Sequence, residues 1–352
     1  MINKDVNREF YKRENNNFDL IRMVAAYSVI YAHSYAIQPD GGGDLITKIT
    51  KVTHAGQLSV FVFIFFSGVF LFTTLQKIQR MRDYWIKKIM RIYPLLVLTL
   101  ILTILMGAVF TTLPVKEYFS DPLTRTYFIK NFLNIENAHE LPGVFANHHY
   151  SGVNGVLWYV TFIARLYLIG GILRCTGLFA TKERMNVCLL IFLAWVSVAP
   201  SSVPLLGGNP ALYGNPDFTQ YTITVLIAFL ICNNFPTLRV RWYVVVIGLI
   251  ICLTQKDFTY NNTMILWAIL DICFALWVGC SKIIKKVKIL DVSYEVFLFG
   301  WPTSQVVCEL NPDFTPIKNT ILTIAITTWI GLLLHYTVEN WFDKITNKIL
   351  KR

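Results

Sequence analysis

Apolar residues along this chain are grouped into long blocks, separated by short stretches that are basic or rich in Asn, Gly and Pro. A block of roughly 17 to 23 apolar residues, wound as an α-helix, is long enough to cross the ~30 Å hydrocarbon core of a bilayer. Such blocks predict spans near 21–37, 58–75, 89–110, 155–173, 187–203, 221–235, 242–253, 264–279, 292–307 and 317–338, the seventh being the shortest. The predicted fold class is all-α, a polytopic integral membrane protein with about ten transmembrane helices.

Basic residues set the expected orientation, because Lys and Arg are retained on the cytoplasmic side. With the N-terminus inside, the inside segments hold 23 of the 32 Lys and Arg residues and the outside segments hold seven. That split predicts an even number of spans and two cytoplasmic termini. It also absorbs the net charge of +11 without nucleic acid as a partner. Residues 1–17 are polar and Asn-rich, and no small-residue cleavage site follows the first block, so the first helix is expected to stay in the mature protein.

One membrane domain is expected over 1–352, with a cytoplasmic N-terminal segment at 1–17, a long extracytoplasmic loop at 111–154 and a cytoplasmic tail at 339–352. The long loop is aromatic and turn-rich, which argues against disorder. With the Gly-, Pro- and Asn-rich stretch at 207–217 it would frame an outward mouth suited to a hydroxyl-rich substrate. No internal repeat of the kind that marks many transporters is visible. Seven cysteines lie in or beside spans without C-x-x-C spacing, and read as small buried hydrophobes.

Charge inside an apolar block is expensive, so it draws attention. Arg22 and His33 lie eleven residues apart in the first block, about three helical turns, which puts them on one face separated by roughly 16 Å along the axis. His33 suits a general base, or alternatively an interhelical hydrogen bond. Arg22 suits an anionic ligand, or alternatively an ion pair with Asp19 at i, i+3. Lys87, Lys88 and Arg91 open the third span, as positive-inside residues or as a phosphate-binding cluster. Trp158, Arg165 and Tyr167 share the fourth span, where Arg165 needs a partner. His335 and Glu339 form an i, i+4 pair at the end of the last span, and Asp271 is a lone acid in the eighth. His148 and His149 are adjacent, a poor geometry for one metal ion, and no metal is expected.

Six motifs in order resemble the acyltransferase 3 family of integral membrane acyltransferases. They are Phe18-Asp-Leu-Ile-Arg-Met-Val-Ala-Ala through His33-Ser34, Phe65-Phe-Ser-Gly-Val-Phe-Leu, and Lys88-Ile-Met-Arg91-Ile-Tyr-Pro. Leu141-Pro-Gly-Val-Phe with Val153-Asn-Gly-Val-Leu-Trp158, Ser293-Tyr-Glu-Val-Phe-Leu-Phe-Gly-Trp-Pro and Val338-Glu-Asn-Trp complete the set. The resemblance implies that His33 is the catalytic histidine, Arg22 the essential arginine of the same motif, and Lys88 and Arg91 the holders of acyl-CoA phosphates. Asp19, Trp158, Arg165, Tyr167 and Tyr294 are implied as substrate-binding or supporting residues.

The implied activity is O-acetyl transfer from acetyl-CoA to a sugar hydroxyl of a surface polysaccharide or its lipid-linked oligosaccharide precursor, in the bilayer of the bacterial inner membrane. Two departures stand out: Ile163 occupies a position where relatives commonly carry glutamate, and Glu295 replaces a common glycine after Tyr294. The competing readings are a glycan flippase or transporter whose pathway is lined by His33, Arg165 and Asp271, and a catalytically lapsed relative.

Overall fold

A computed structural model describes residues 16–38, 42–133, 137–199, 218–235, 240–255, 260–280 and 286–351. Its elements are helices, and the β-pairing among the described residues is one isolated antiparallel bridge between Thr111 and Val144. In chain order they are α1 (Phe18–Ile37), α2 (Leu45–Thr50), α3 (Ala55–Lys77), α4 (Met81–Phe110), α5 (Val115–Ser120), α6 (Pro122–Phe132) and α7 (Leu157–Cys175). A 3-10 turn at Leu178–Ala180 leads into α8 (Lys182–Val198), followed by α9 (Phe218–Asn234), α10 (Trp242–Thr254) and α11 (Tyr260–Cys280). The last are α12 (Ser293–Leu310), α13 (Pro316–Leu334), a π-helical turn at His335–Glu339, and α14 (Asn340–Leu350).

Six helical stretches are long and apolar enough to cross a membrane: Phe18–Ile37, Ala55–Lys77, Met81–Phe110, Leu157–Cys175, Asn262–Cys280 and Pro316–Leu350. The apolar blocks expected at 187–203, 221–235 and 242–253 give helices of 17, 17 and 13 residues within the described range. At 1.5 Å per residue, 17 residues reach only about 26 Å. The 18-residue α12 carries Glu295 and Glu309 inside its length. The predicted outward stretch at 207–217 lies outside the described residues.

Local chemistry explains where several helices begin. His54 caps α3, its Nδ1 accepting from the Gln57 amide at 3.2 Å. Asp121 caps α6, accepting from the Leu123 amide at 2.7 Å, with Pro122 in the first turn, where its missing N–H has no helical acceptor to satisfy.

The residues divide into two compact units, and the division falls within α1 and α7. The first holds 1–25, 46–79 and 165–291. Its centre is the phenylalanine-rich α3, with Phe61, Phe65, Phe66 and Phe72 fully buried. Phe72 meets Phe229 of α9 edge-on, centroids 5.3 Å apart. Gly68 lets the two helices close: a Cβ there would lie 2.9 Å from the Ala228 side chain. Between α8 and α9, Asn186 and Asn234 exchange amide hydrogen bonds at 2.7 and 2.8 Å.

The second unit holds 26–45, 80–164 and 292–352. Its buried polar centre joins α1, α12 and α13. Asn319 accepts from Ser304 and Thr323, each at 2.9 Å, and from Ser34 at 3.4 Å, and donates to the Ser304 carbonyl at 3.1 Å. Where apolar surface surrounds every helix, such bonds choose which helices pack. The segment after α4 is packed rather than open. Tyr118 donates to the Ile104 carbonyl at 2.9 Å, and burial pushes its phenol up to about 12. Burial also raises the Tyr127 phenol on α6.

Candidate active site

His33 lies on the α1 stretch of the second unit and is half-buried. Its imidazole packs edge-on to the indole of Trp301 on α12, with centroids 4.6 Å apart and planes at 71°. Trp301 is itself fixed, because its Nε1 donates to the Gly152 carbonyl at 2.7 Å.

That bond belongs to a wider clamp. Trp301, Gln305 and Glu309 recur at i, i+4 and i+8, so they form one stripe of α12. The Gln305 amide donates to the carbonyls of Tyr150 and Gly152 at 2.6 and 2.8 Å. Its Oε1 sits 2.6 Å from His148 Nδ1, and His148 Nε2 lies 2.8 Å from a Glu309 carboxylate oxygen. Asn154 adds a donor to the Leu298 carbonyl at 3.3 Å. Gly155 leaves room for the indole: a Cβ there would lie 2.9 Å from the Trp301 ring. The segment 148–155 is thereby held along the α12 face whose tryptophan touches His33.

In the first unit, Arg22 forms an ion pair with Asp291, which immediately precedes Val292 and α12. The side chains are 13% and 4% exposed, so the charges are largely desolvated. The expected local pairing with Asp19 gives way to an acid 269 residues away. Asp19 is half-buried one turn earlier on α1.

The second unit holds Lys88 and Arg91. Lys88 lies over the Tyr84 ring, its Nζ 5.8 Å from the centroid. Arg91, 44% exposed, pairs with Glu339 at 3.1 Å. His335 Nδ1 lies 2.7 Å from the other Glu339 carboxylate oxygen, so the i, i+4 pair read in the sequence is formed, on the π-helical turn. Tyr294 donates to the Ile92 carbonyl at 3.4 Å, tying the start of α12 to α4 next to Arg91. Arg22 belongs to the first unit, while His33, Lys88 and Arg91 belong to the second.

Trp158 is half-buried on α7 in the second unit, and Arg165 and Tyr167 are half-buried on the α7 stretch of the first. Ile163, also on α7, is 5% exposed. Four residues of these arrangements were not picked out as site residues from the sequence: Asp291, Trp301, Gln305 and Glu309. The i, i+4, i+8 recurrence of polar and aromatic residues on an apolar helix is the signal that marks the last three.

Residues 15–336 match the acyltransferase domain family Acyl_transf_3. An O-acetyl transferase of Shigella phage Sf6 is 24% identical over 315 residues, covering 86% of this chain and 89% of the phage protein. No solved structure matches the chain. The helices long and apolar enough for a bilayer, the ordered motifs and a family match over most of the length converge, and the chain belongs to the acyltransferase 3 family of membrane acyltransferases.

Proposed function

We propose that this protein is a membrane O-acetyltransferase, moving an acetyl group from cytoplasmic acetyl-CoA to a hydroxyl of a cell-surface polysaccharide or its lipid-linked precursor. The observation that carries this reading is the similarity to a phage O-acetyl transferase along most of both chains. The placement of His33 against an indole that also anchors the 148–155 segment supports it, since a base oriented beside a substrate-facing loop suits acyl transfer.

In this reading His33 either receives the acyl group itself and passes it on or, in direct transfer, accepts the proton of the acceptor hydroxyl as its oxygen attacks the thioester carbonyl. A C–O bond forms, the C–S bond breaks, and the CoA thiolate leaves with the proton returned from the imidazolium. Lys88 and Arg91 hold the donor phosphates. Arg22 is the second essential residue, Asp19 and Tyr294 support, and Trp158, Arg165 and Tyr167 serve the acceptor. About ten helices cross the bacterial inner membrane, the shorter α8, α9, α10 and α12 among them. Both termini are cytoplasmic and 111–154 faces outward.

The test is polysaccharide O-acetyl content, read by NMR before and after mild alkali. Cells lacking the gene are complemented with wild type or His33→Ala. An alkali-labile ester signal restored by wild type and not by the variant is expected. Ester content that does not depend on the gene overturns the reading in favour of a transporter or a catalytically lapsed relative.

A further inference from the structure

We propose that Glu295, His335 and Glu339 form a binding site for a divalent transition-metal cation such as zinc. The three residues come from the first turn of α12 and from the π-helical turn after α13. One ligand atom from each lies within 4.8 Å of the other two. Close packing brings these elements together: a Cβ at Gly331 would lie 3.4 Å from the Glu295 side chain and 3.1 Å from that of Val292. His335, one turn beyond Gly331, therefore faces the start of α12.

A second observation points to a ligand. Glu295 is 1% exposed, and its Oε1 has no hydrogen-bond partner. A carboxylate oxygen removed from water without a partner is costly, and the neighbouring Glu339 carboxylate adds like charge beside it. A cation among the three groups resolves that conflict. Arg91 engages Glu339 Oε1 at 3.1 Å, while the other oxygen of that carboxylate faces His335. An outer hydrogen bond of this kind is how a metal-binding carboxylate is oriented.

The donor set selects the ion. One imidazole nitrogen with two carboxylates suits zinc or manganese, whereas calcium and magnesium favour all-oxygen surroundings. Ligand distances of about 2.0 to 2.2 Å draw the three atoms closer together by side-chain rotation, and the imidazole gives up its proton to bind. A π-helical turn is a recurrent feature of functional sites, and here it carries two of the three ligands. The three ligands are not residues of the proposed donor or acceptor sites, although Arg91, which contacts Glu339, is shared with the proposed donor site.

The test uses the full-length protein, purified in detergent, stripped with chelator and titrated with Co²⁺ in visible absorption. Zn²⁺ content after reloading is read by elemental analysis. About one equivalent of either ion is expected, with d–d bands of a nitrogen- and oxygen-ligated cobalt. Glu295→Gln and His335→Ala are expected to weaken uptake at least about 10-fold, while His149→Ala, on an exposed loop histidine, keeps it. The wild-type titration decides even if a variant misfolds: no cobalt bands and no retained zinc overturn the proposal, leaving a carboxyl pair that shares a proton. Unchanged uptake in both ligand variants overturns it as well.

Discussion

The imidazole of His33 and the indole of Trp301 meet edge-on at 4.6 Å, and the same indole donates to the Gly152 carbonyl at 2.7 Å. One side chain thus sets both the orientation of the proposed base and the position of the segment beside it. Replacing Trp301 with Leu removes both contacts, and misplacing a catalytic group by about 1 Å costs up to ~100-fold in rate. Trp301→Leu is expected to lower O-acetyl transfer by roughly 10- to 100-fold. Trp301→Phe, which keeps an aromatic edge and loses the N–H, is expected to fall between it and wild type. Ester formation per unit of membrane-inserted protein checks both.

Gly155 is expected to be intolerant for a steric reason. An added methyl meets the Trp301 ring at 2.9 Å, closer than real Cβ contacts come. Because Trp301 is held by the Gly152 carbonyl, relief requires the ring to leave either that bond or His33. Gly155→Ala is expected to reduce transfer about as much as Trp301→Leu, and combining the two substitutions is expected to cost little more than either alone. A double-mutant comparison of ester yield reads this directly.

The parts of this arrangement differ in how legible they were. The helices long enough to span were readable because a hydrocarbon solvent demands continuous apolar runs, and these are written locally; α2, α5, α6 and α14 are not such runs and were not read. The pairing of His335 with Glu339 was readable for the same reason, since i, i+4 neighbours meet on any helix. Partners on different helices were not. Asp291 is 269 residues from Arg22, and Glu339 is 248 from Arg91. Gln305 is 157 residues from His148. The helices long enough to span are apolar on nearly every face, so periodicity carries little about which of them adjoin, and the adjoining faces are chosen by scattered Asn, Gln, Ser and Gly. For that reason Arg22 read most simply as the partner of nearby Asp19.

The Arg22–Asp291 pair gives a prediction about stability rather than rate. Removing one member of a largely buried ion pair leaves the other charge uncompensated, at a cost of about 3–5 kcal/mol. Asp291→Asn is expected to lower the melting temperature and folded yield in detergent. Replacing both residues by Leu removes both charges and is expected to recover much of the stability while leaving the enzyme inactive, because Arg22 is then absent from its proposed role. Recovery of both stability and transfer in the double variant would remove Arg22 from the mechanism.

Arg91 separates binding from folding. Its pair with Glu339 is 44% exposed on the arginine side, so the pair contributes at most about 1 kcal/mol after solvent screening. The stability cost of Arg91→Gln is accordingly small. If the guanidinium holds donor phosphates, the same substitution weakens a charge-assisted contact made alike in the ground and transition states. It then raises KM for acetyl-CoA by roughly 10-fold and leaves kcat within about 3-fold. Lys88→Gln is expected to act in the same direction and less strongly, since an ammonium acts as a point charge where a guanidinium forms a fork. Initial rates in proteoliposomes against acetyl-CoA concentration separate the outcomes. A fall in kcat with KM unchanged would place Arg91 at the reacting acyl group instead of the phosphates, and no change in either would leave it as a partner of Glu339 alone.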